Sequence, residues 1–159
     1  MDLITNPKFI KEVEFDIIDL KWSRYWLENG DIVKSMAIPT SIMLTDQIGP
    51  DGVPVFAISW NTIVASSTPL DKRGKPSNRL LSLSDLEKHQ HQEVSWTKSE
   101  EPYSLFRISE GYILKSRVIM NRILLVVDSY DMMGNRNYFA NSVIAQVVYR
   151  EETKSNPGS

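Results

Sequence analysis

Cysteine is absent from this sequence of 159 residues. That removes disulfides, thiolate nucleophiles and cysteine-based metal sites, and it fits an intracellular protein better than a small secreted one. Histidine is nearly absent: the only two are His89 and His91. No basic excess exists either, since 18 Lys and Arg face 20 Asp and Glu for a net charge of −2. A global field attracting nucleic acid or an anionic membrane is therefore lacking. The longest apolar run, Ile123 to Val127, is far short of the roughly 20 residues a membrane-spanning helix needs. The first residues, with Asp2 and no apolar stretch, do not read as a signal peptide. A cytoplasmic protein without a membrane partner is the expectation. Phosphate-binding Gly-rich loops, His-Glu-x-x-His helices and nucleophile elbows are missing too.

What the chain does contain is an approximate repeat. Shifted by 81 residues, positions 12–44 lie over 93–125 without a gap, and ten of those 33 positions are identical. Ordinary composition would give about two. The identities are Glu12/Glu93, Val13/Val94, Ser23/Ser104, Gly30/Gly111, Ile32/Ile113, Lys34/Lys115, Ser35/Ser116, Ile38/Ile119, Ile42/Ile123 and Leu44/Leu125. Further on, Gly134 answers Gly52 and Phe139 answers Phe56, after one inserted residue and then a second. Insertions at turns with the strand pattern kept are what a duplicated unit shows.

Inside each copy the apolar pattern has period two. Val13, Phe15 and Ile17 alternate with Glu14 and Asp16, as a half-buried strand requires. The parity then flips at Ile18, Leu20 and Trp22, which marks a bulge or bend. Glu28-Asn29-Gly30-Asp31 reads as a tight hairpin turn of type I′. A long strand follows from Ile32, with an edge position or a bulge expected at Pro39 because proline lacks the ladder N–H. The shared isoleucines are expected to face the core. A 12–65 copy, a 66–92 crossover and a 93–149 copy make one domain over 1–150. One or two helical turns capped by Ser82 or Ser84 are expected in the crossover, and a disordered polar tail over 151–159. One copy is too small to bury a core alone. The expected fold is all-β: an antiparallel sandwich or barrel of six to eight strands, from two duplicated halves about a pseudo-two-fold axis.

Several side-chain groups invite chemistry. On an extended chain His89 and His91 would share a face about 7 Å apart, with Glu87 and Glu93 as oxygen donors. Zinc wants three or four ligands, so a metal-dependent enzyme is one reading and a solvated pair in a polar crossover the plainer one. No cofactor is implied. The loop from Asp128 to Asn137 is oxygen-rich but lacks EF-hand spacing, and turn chemistry accounts for its Asp and Asn. Lys72, Arg73, Lys75 and Arg79 of the crossover, with Lys115 and Arg117, could contact phosphates beside Tyr103, Phe106 and Tyr112, giving a single-strand nucleic-acid face. The repeated Lys34 and Lys115 could hold an anion near the axis, or run their stems over apolar surface. Carboxylate pairs such as Asp16 and Asp19 have nothing placing them in a pocket. The function expected is a non-catalytic binding or assembly module whose partner is another copy of itself, a dimer first, or another protein, since long apolar strands leave edges that must be paired or covered.

Overall fold

The computed structural model describes residues 6–77 and 83–152. Among the described residues ten antiparallel strands build two five-stranded sheets, packed face to face as a sandwich. In chain order they are β1 (Phe9–Val13), β2 (Phe15–Asp19), β3 (Ser23–Leu27), β4 (Ile32–Ile48) and β5 (Pro54–Ser67), then β6 (His91–Val94), β7 (Trp96–Glu100), β8 (Ser104–Ile108), β9 (Tyr112–Tyr130) and β10 (Arg136–Arg150). The count exceeds six to eight because the chain breaks its alternation at Glu14 and at Ser95, splitting each opening strand in two. A 3-10 turn (Leu70–Lys72) and a short helix α1 (Leu83–Lys88) lie in the crossover. Ser82 and the tail from 153 onward lie outside the described residues.

The break at Glu14 and Ser95 has a topological purpose. β1 pairs with β4 of its own half, whereas β2 leaves that sheet and pairs with β8. In the same way β6 pairs with β9, and β7 crosses to pair with β3. The exchange is reciprocal to the residue: Ser109 N donates to Glu14 O at 2.9 Å, and Glu28 N to Ser95 O at 3.2 Å. The ladders repeat 81 residues on, with Val13 opposite Ile42 and Val94 opposite Ile123.

Both core clusters draw three buried residues from each half. One holds Val13, Ile42 and Phe56 with Phe106, Ile108 and Leu114. The other holds Tyr25, Leu27 and Val33 with Met120, Ile123 and Tyr138. Register also corrects the equivalence of the last strands. Phe56 lies opposite Leu44 and Tyr138 opposite Leu125, so Tyr138, not Phe139, answers Phe56, and one insertion suffices.

Pro39 sits at a bulge, on the stretch of β4 between its partners β3 and β1 where β5 alone is paired. The register of β4 with β5 slips between Pro39 and Ser41. β9 slips at the matching place, between Met120 and Arg122. Each slip reverses which face the following residues occupy. Before it, Val33, Ser35 and Leu114 point inward and are fully buried, while Ile32, Lys34 and Ile38 lie half-buried on the outer face. After it, Ile42 and Ile123 point into the core. Of the shared isoleucines, only this last pair is buried in both halves; Ile113 is buried too, while its counterpart Ile32 is half-buried.

The first hairpin turn is not type I′. Its loop is Glu28, Asn29 and Gly30, closed by Leu27 N to Asp31 O at 2.9 Å and Gly30 N to Leu27 O at 3.1 Å. Only Gly30 takes positive φ (92°), as in a type I turn ending in a left-handed residue. Asn29 stays out of that region because its side-chain oxygen accepts the N–H of Asp31 at 2.9 Å.

The two halves differ in a coupled way at one corner. Glu101 accepts from Tyr25 Oη at 2.7 Å and from Met120 N at 3.0 Å. The matching positions in the other half are Leu20, Phe106 and Pro39, which have no side-chain acceptor, no phenol and no N–H. Leu20 packs there against the core cluster that holds buried Phe106. A polar triad in one corner is thus an apolar triad in the other. Glu101→Leu inserts the opposite corner's residue without its partners, orphaning two donors. It should cost about 2 kcal/mol in urea unfolding, and Tyr25→Phe should recover part of that loss.

Candidate functional site

Polar groups concentrate at the end of the sandwich where the β3–β4 turn meets the start of β10. Asp31 has 0% exposure. Its carboxylate takes Arg136 Nη1 at 2.7 Å and the phenol of Tyr138 in a short hydrogen bond. Asn29 Nδ2 donates to the same phenol oxygen at 2.9 Å. The matching contact in the other half is apolar: Tyr112 stands in place of Asp31 and packs edge-on against Phe56 with ring centroids 5.4 Å apart. A buried carboxylate is therefore specific to one half, and the Arg136 guanidinium compensates it.

The crossover is strapped over this end. Thr68, itself buried, donates its N–H to Asn135 Oδ1 at 2.9 Å, and its hydroxyl accepts Arg136 N at 3.0 Å. Gly74 N donates to Gly134 O at 3.0 Å, and Ser77 N to Asp131 O at 3.0 Å. A side chain on Gly74 would collide with the Tyr130 ring, at 2.3 Å from a built Cβ. Asp131 is consumed by its own turn: Oδ1 accepts Met133 N at 2.8 Å and Asn135 N at 2.9 Å, and Oδ2 accepts Asn135 Nδ2 at 3.1 Å. This is the turn chemistry expected of the oxygen-rich loop.

Burial, then the hydrogen bond to Asp31, push the Tyr138 phenol well above its ordinary value. Tyr25 is raised by burial and then by Glu101. Burial opposes the charge on Arg136, but Asp31 outweighs it and the guanidinium ends above its usual value. Nearby, a cleft of about 250 Å³ is lined by Val64, Ala65, Ser66, Asp131, Asn137 and Tyr138. That is below the roughly 300–1,000 Å³ of small-molecule sites. Its acid is committed to a turn and Tyr138 to Asp31, so the arrangement holds hairpins together rather than presenting a reactive group.

The candidates read from sequence are scattered. His91 stands exposed on β6, while His89 lies in the bend after α1, off the strand that would have aligned the pair. Glu93 is occupied by Arg122, Nε to Oε1 at 3.3 Å, and Glu87 is exposed on α1. No three histidine or acidic side chains converge among the described residues. Arg73 is spent on carbonyls, with Nε to Thr68 O at 2.9 Å and Nη1 to Met133 O at 3.3 Å. Lys72 and Lys75 are exposed, and Arg79 lies outside the described residues. Phe106 is fully buried and Tyr112 packs on Phe56, so neither offers a stacking face. Lys34 sits over the Trp22 ring at 4.9 Å and Lys115 over Tyr103 at 4.2 Å, equivalent cation–π pairs on the outer faces of the two sheets. Arg117 joins the second pair at 4.8 Å.

The sequence reading missed the outer strands β5 and β10 as a feature in their own right. They run alongside each other at one side of the sandwich, bridged by Arg150 Nη2 to Gly52 O at 3.2 Å, Trp60 Nε1 to Gln146 Oε1 at 2.9 Å and Ser66 Oγ to Arg136 O at 2.6 Å. Among the described residues no ladder joins them, so the sandwich does not close into a barrel, and each strand pairs with a neighbour on one side only. β5 contains no charged residue in 14, and β10 none between Arg136 and Arg150. Both strands stand partly clear of the core, with residues 61–64 all exposed. Ile63, Val64, Val143, Val147 and Tyr149 are among the exposed large hydrophobics. No helix among the described residues is long and apolar enough to cross a membrane.

Comparison with family models, with curated proteins and with solved structures gives no match.

Two outcomes follow from the buried cluster. Arg136→Met leaves a sealed carboxylate facing only Tyr138 and should cost about 3–5 kcal/mol in urea unfolding. Asp31→Ala should cost less, because the Arg136 side chain is 22% exposed and can turn to water. Raised phenols in the folded state also mean that the unfolded chain loses those protons first. Stability is then full below about pH 10 and falls as pH rises beyond it. Unfolding measured across that range should show a shallower alkaline decline in Tyr25→Phe/Tyr138→Phe than in the parent.

Proposed function

We propose that this chain consists of two copies of one half-unit and acts as a non-catalytic assembly module, associating with further copies of itself through the side formed by β5 and β10. The observation that carries the reading is the state of those strands. Natural sheets blunt a long free edge with charge, proline, a bulge or a covering segment. Here the bulges lie in β4 and β9, the charges stop at Arg136 and Arg150, and Pro54 sits only at the first position of β5. Exposed apolar side chains on both faces of β5 and on one face of β10 favour coverage by a surface of like character, and a second copy supplies one. A dimer joined there pairs backbone groups that water otherwise satisfies, and removes the apolar stripe from solvent.

A nucleic-acid role has less support, because Arg73 is committed to carbonyls and the net charge is negative. A metal-dependent role lacks converging ligands among the described residues. Sedimentation of the pure protein at micromolar concentration should give a dimer or larger species. Val147→Lys combined with Val64→Lys should shift it to monomer while leaving the thermal transition cooperative. A parent protein that sediments as a clean monomer overturns the proposal.

A further inference from the structure

The two halves carry the same lysine–aromatic pair on their outer faces, but only one has a second cation beside it. Arg117 stands where the first half has Met36, and its guanidinium lies 4.8 Å from the Tyr103 ring centroid that Lys115 approaches at 4.2 Å. Every residue facing the two cations across the sheet is uncharged. Lys115 lies opposite Leu105 on β8 and Val147 on β10, and Arg117 lies opposite Ala145. One strand further out, Asp19 lies opposite Leu105, but its carboxylate pairs with Lys21 at 3.5 Å. Arg107, on the same face of β8, has its own partner in Glu151 at 2.9 Å. Neither Lys115 nor Arg117 forms an ion pair with a described residue, and Arg117 Nε is buried with no hydrogen-bond acceptor.

Two adjacent like charges raise each other's cost, and a shared ring face offsets only part of it. The first half shows that the fold does not need the second cation, since Met36 fills the matching place and is buried. We infer that Lys115 and Arg117, seated on Tyr103, form a recognition site for a dianionic phosphate group. A dianion neutralises both cations, whereas a carboxylate neutralises one. The guanidinium fork suits two phosphate oxygens, and the ammonium supplies a point charge beside it. The site lies on the outer face of β9, one strand in from the β10 edge, and it is read out by ligand binding rather than by self-association.

The test uses the whole protein at fixed ionic strength set with chloride. Backbone and side-chain NMR shifts of Tyr103, Lys115 and Arg117 are followed during titration with inorganic phosphate, phenyl phosphate and acetate. Saturable shifts with either phosphate, at least about tenfold weaker with acetate and in Arg117→Met, support the site. Tighter binding of phenyl phosphate than of inorganic phosphate assigns it to a phosphomonoester, and equal binding to the free ion. Arg117→Met installs the residue that the first half already accommodates, so its fold is secured, and Lys34→Met should leave the titration unchanged. The inference is overturned if phosphate causes no saturable shift, or if Arg117→Met or acetate reproduces the parent's response.

Discussion

The reciprocal exchange of β2 and β7 is the constraint on which the rest of the structure depends. Each sheet takes four strands from one half and one from the other, so neither sheet is complete within half the chain. The core obeys the same division, with three buried residues from each half in both clusters. Folding one half therefore leaves β3 or β8 without its outer partner and half of every apolar cluster in water. Hydrophobic burial is the dominant favourable term and scales with area removed from water. The halves gain most of it only together, so the fold should unfold as one cooperative unit.

Against that shared plan the differences are coupled rather than scattered. Asp31 in place of Tyr112 comes with Tyr138 in place of Phe56 and with Arg136 in place of Pro54. Glu101 in place of Leu20 comes with Tyr25 in place of Phe106 and a free N–H at Met120 in place of Pro39. In each case a polar group enters the interior with its partners already supplied, as buried polar groups must. Each set joins residues of both halves, so it also fixes which end of one half meets which end of the other. An apolar version of either corner would tolerate more slippage.

Much of the fold was legible because strand periodicity and turn glycines are local. Gly30, Gly52, Gly111 and Gly134 all take positive φ at the hairpin turns, and the long strands lie close to where alternation puts them. The exchange was not legible. A strand's alternation records which face is buried and not which neighbour it pairs with, so β2 and β7 look the same in either sheet. The inward isoleucines were misread for a related reason: a single extra residue, Thr40 or Asn121, reverses all faces beyond it. The candidate site fared worse. His89 and His91 look paired only while the chain between them is assumed extended. Asp31 and Arg136, 105 residues apart, left one faint trace, an acid aligned with a tyrosine at an inward strand position. The uncharged runs of β5 and β10 were visible in the sequence, but their edge positions were not.

The outer strands join the architecture to its proposed use. An edge bare of charge, proline and bulge is costly in an isolated protein, because it invites non-native pairing as readily as native. Such a surface suits a chain whose working state is an assembly. Amide hydrogen exchange along β5 and β10, measured at low and high protein concentration, addresses this most directly. The N–H groups of those strands that point away from β4 and β9 should exchange freely in dilute solution and become protected as concentration rises, while β3 and β8 remain protected throughout. Exchange at those outward positions that stays equally fast at every concentration would contradict the account.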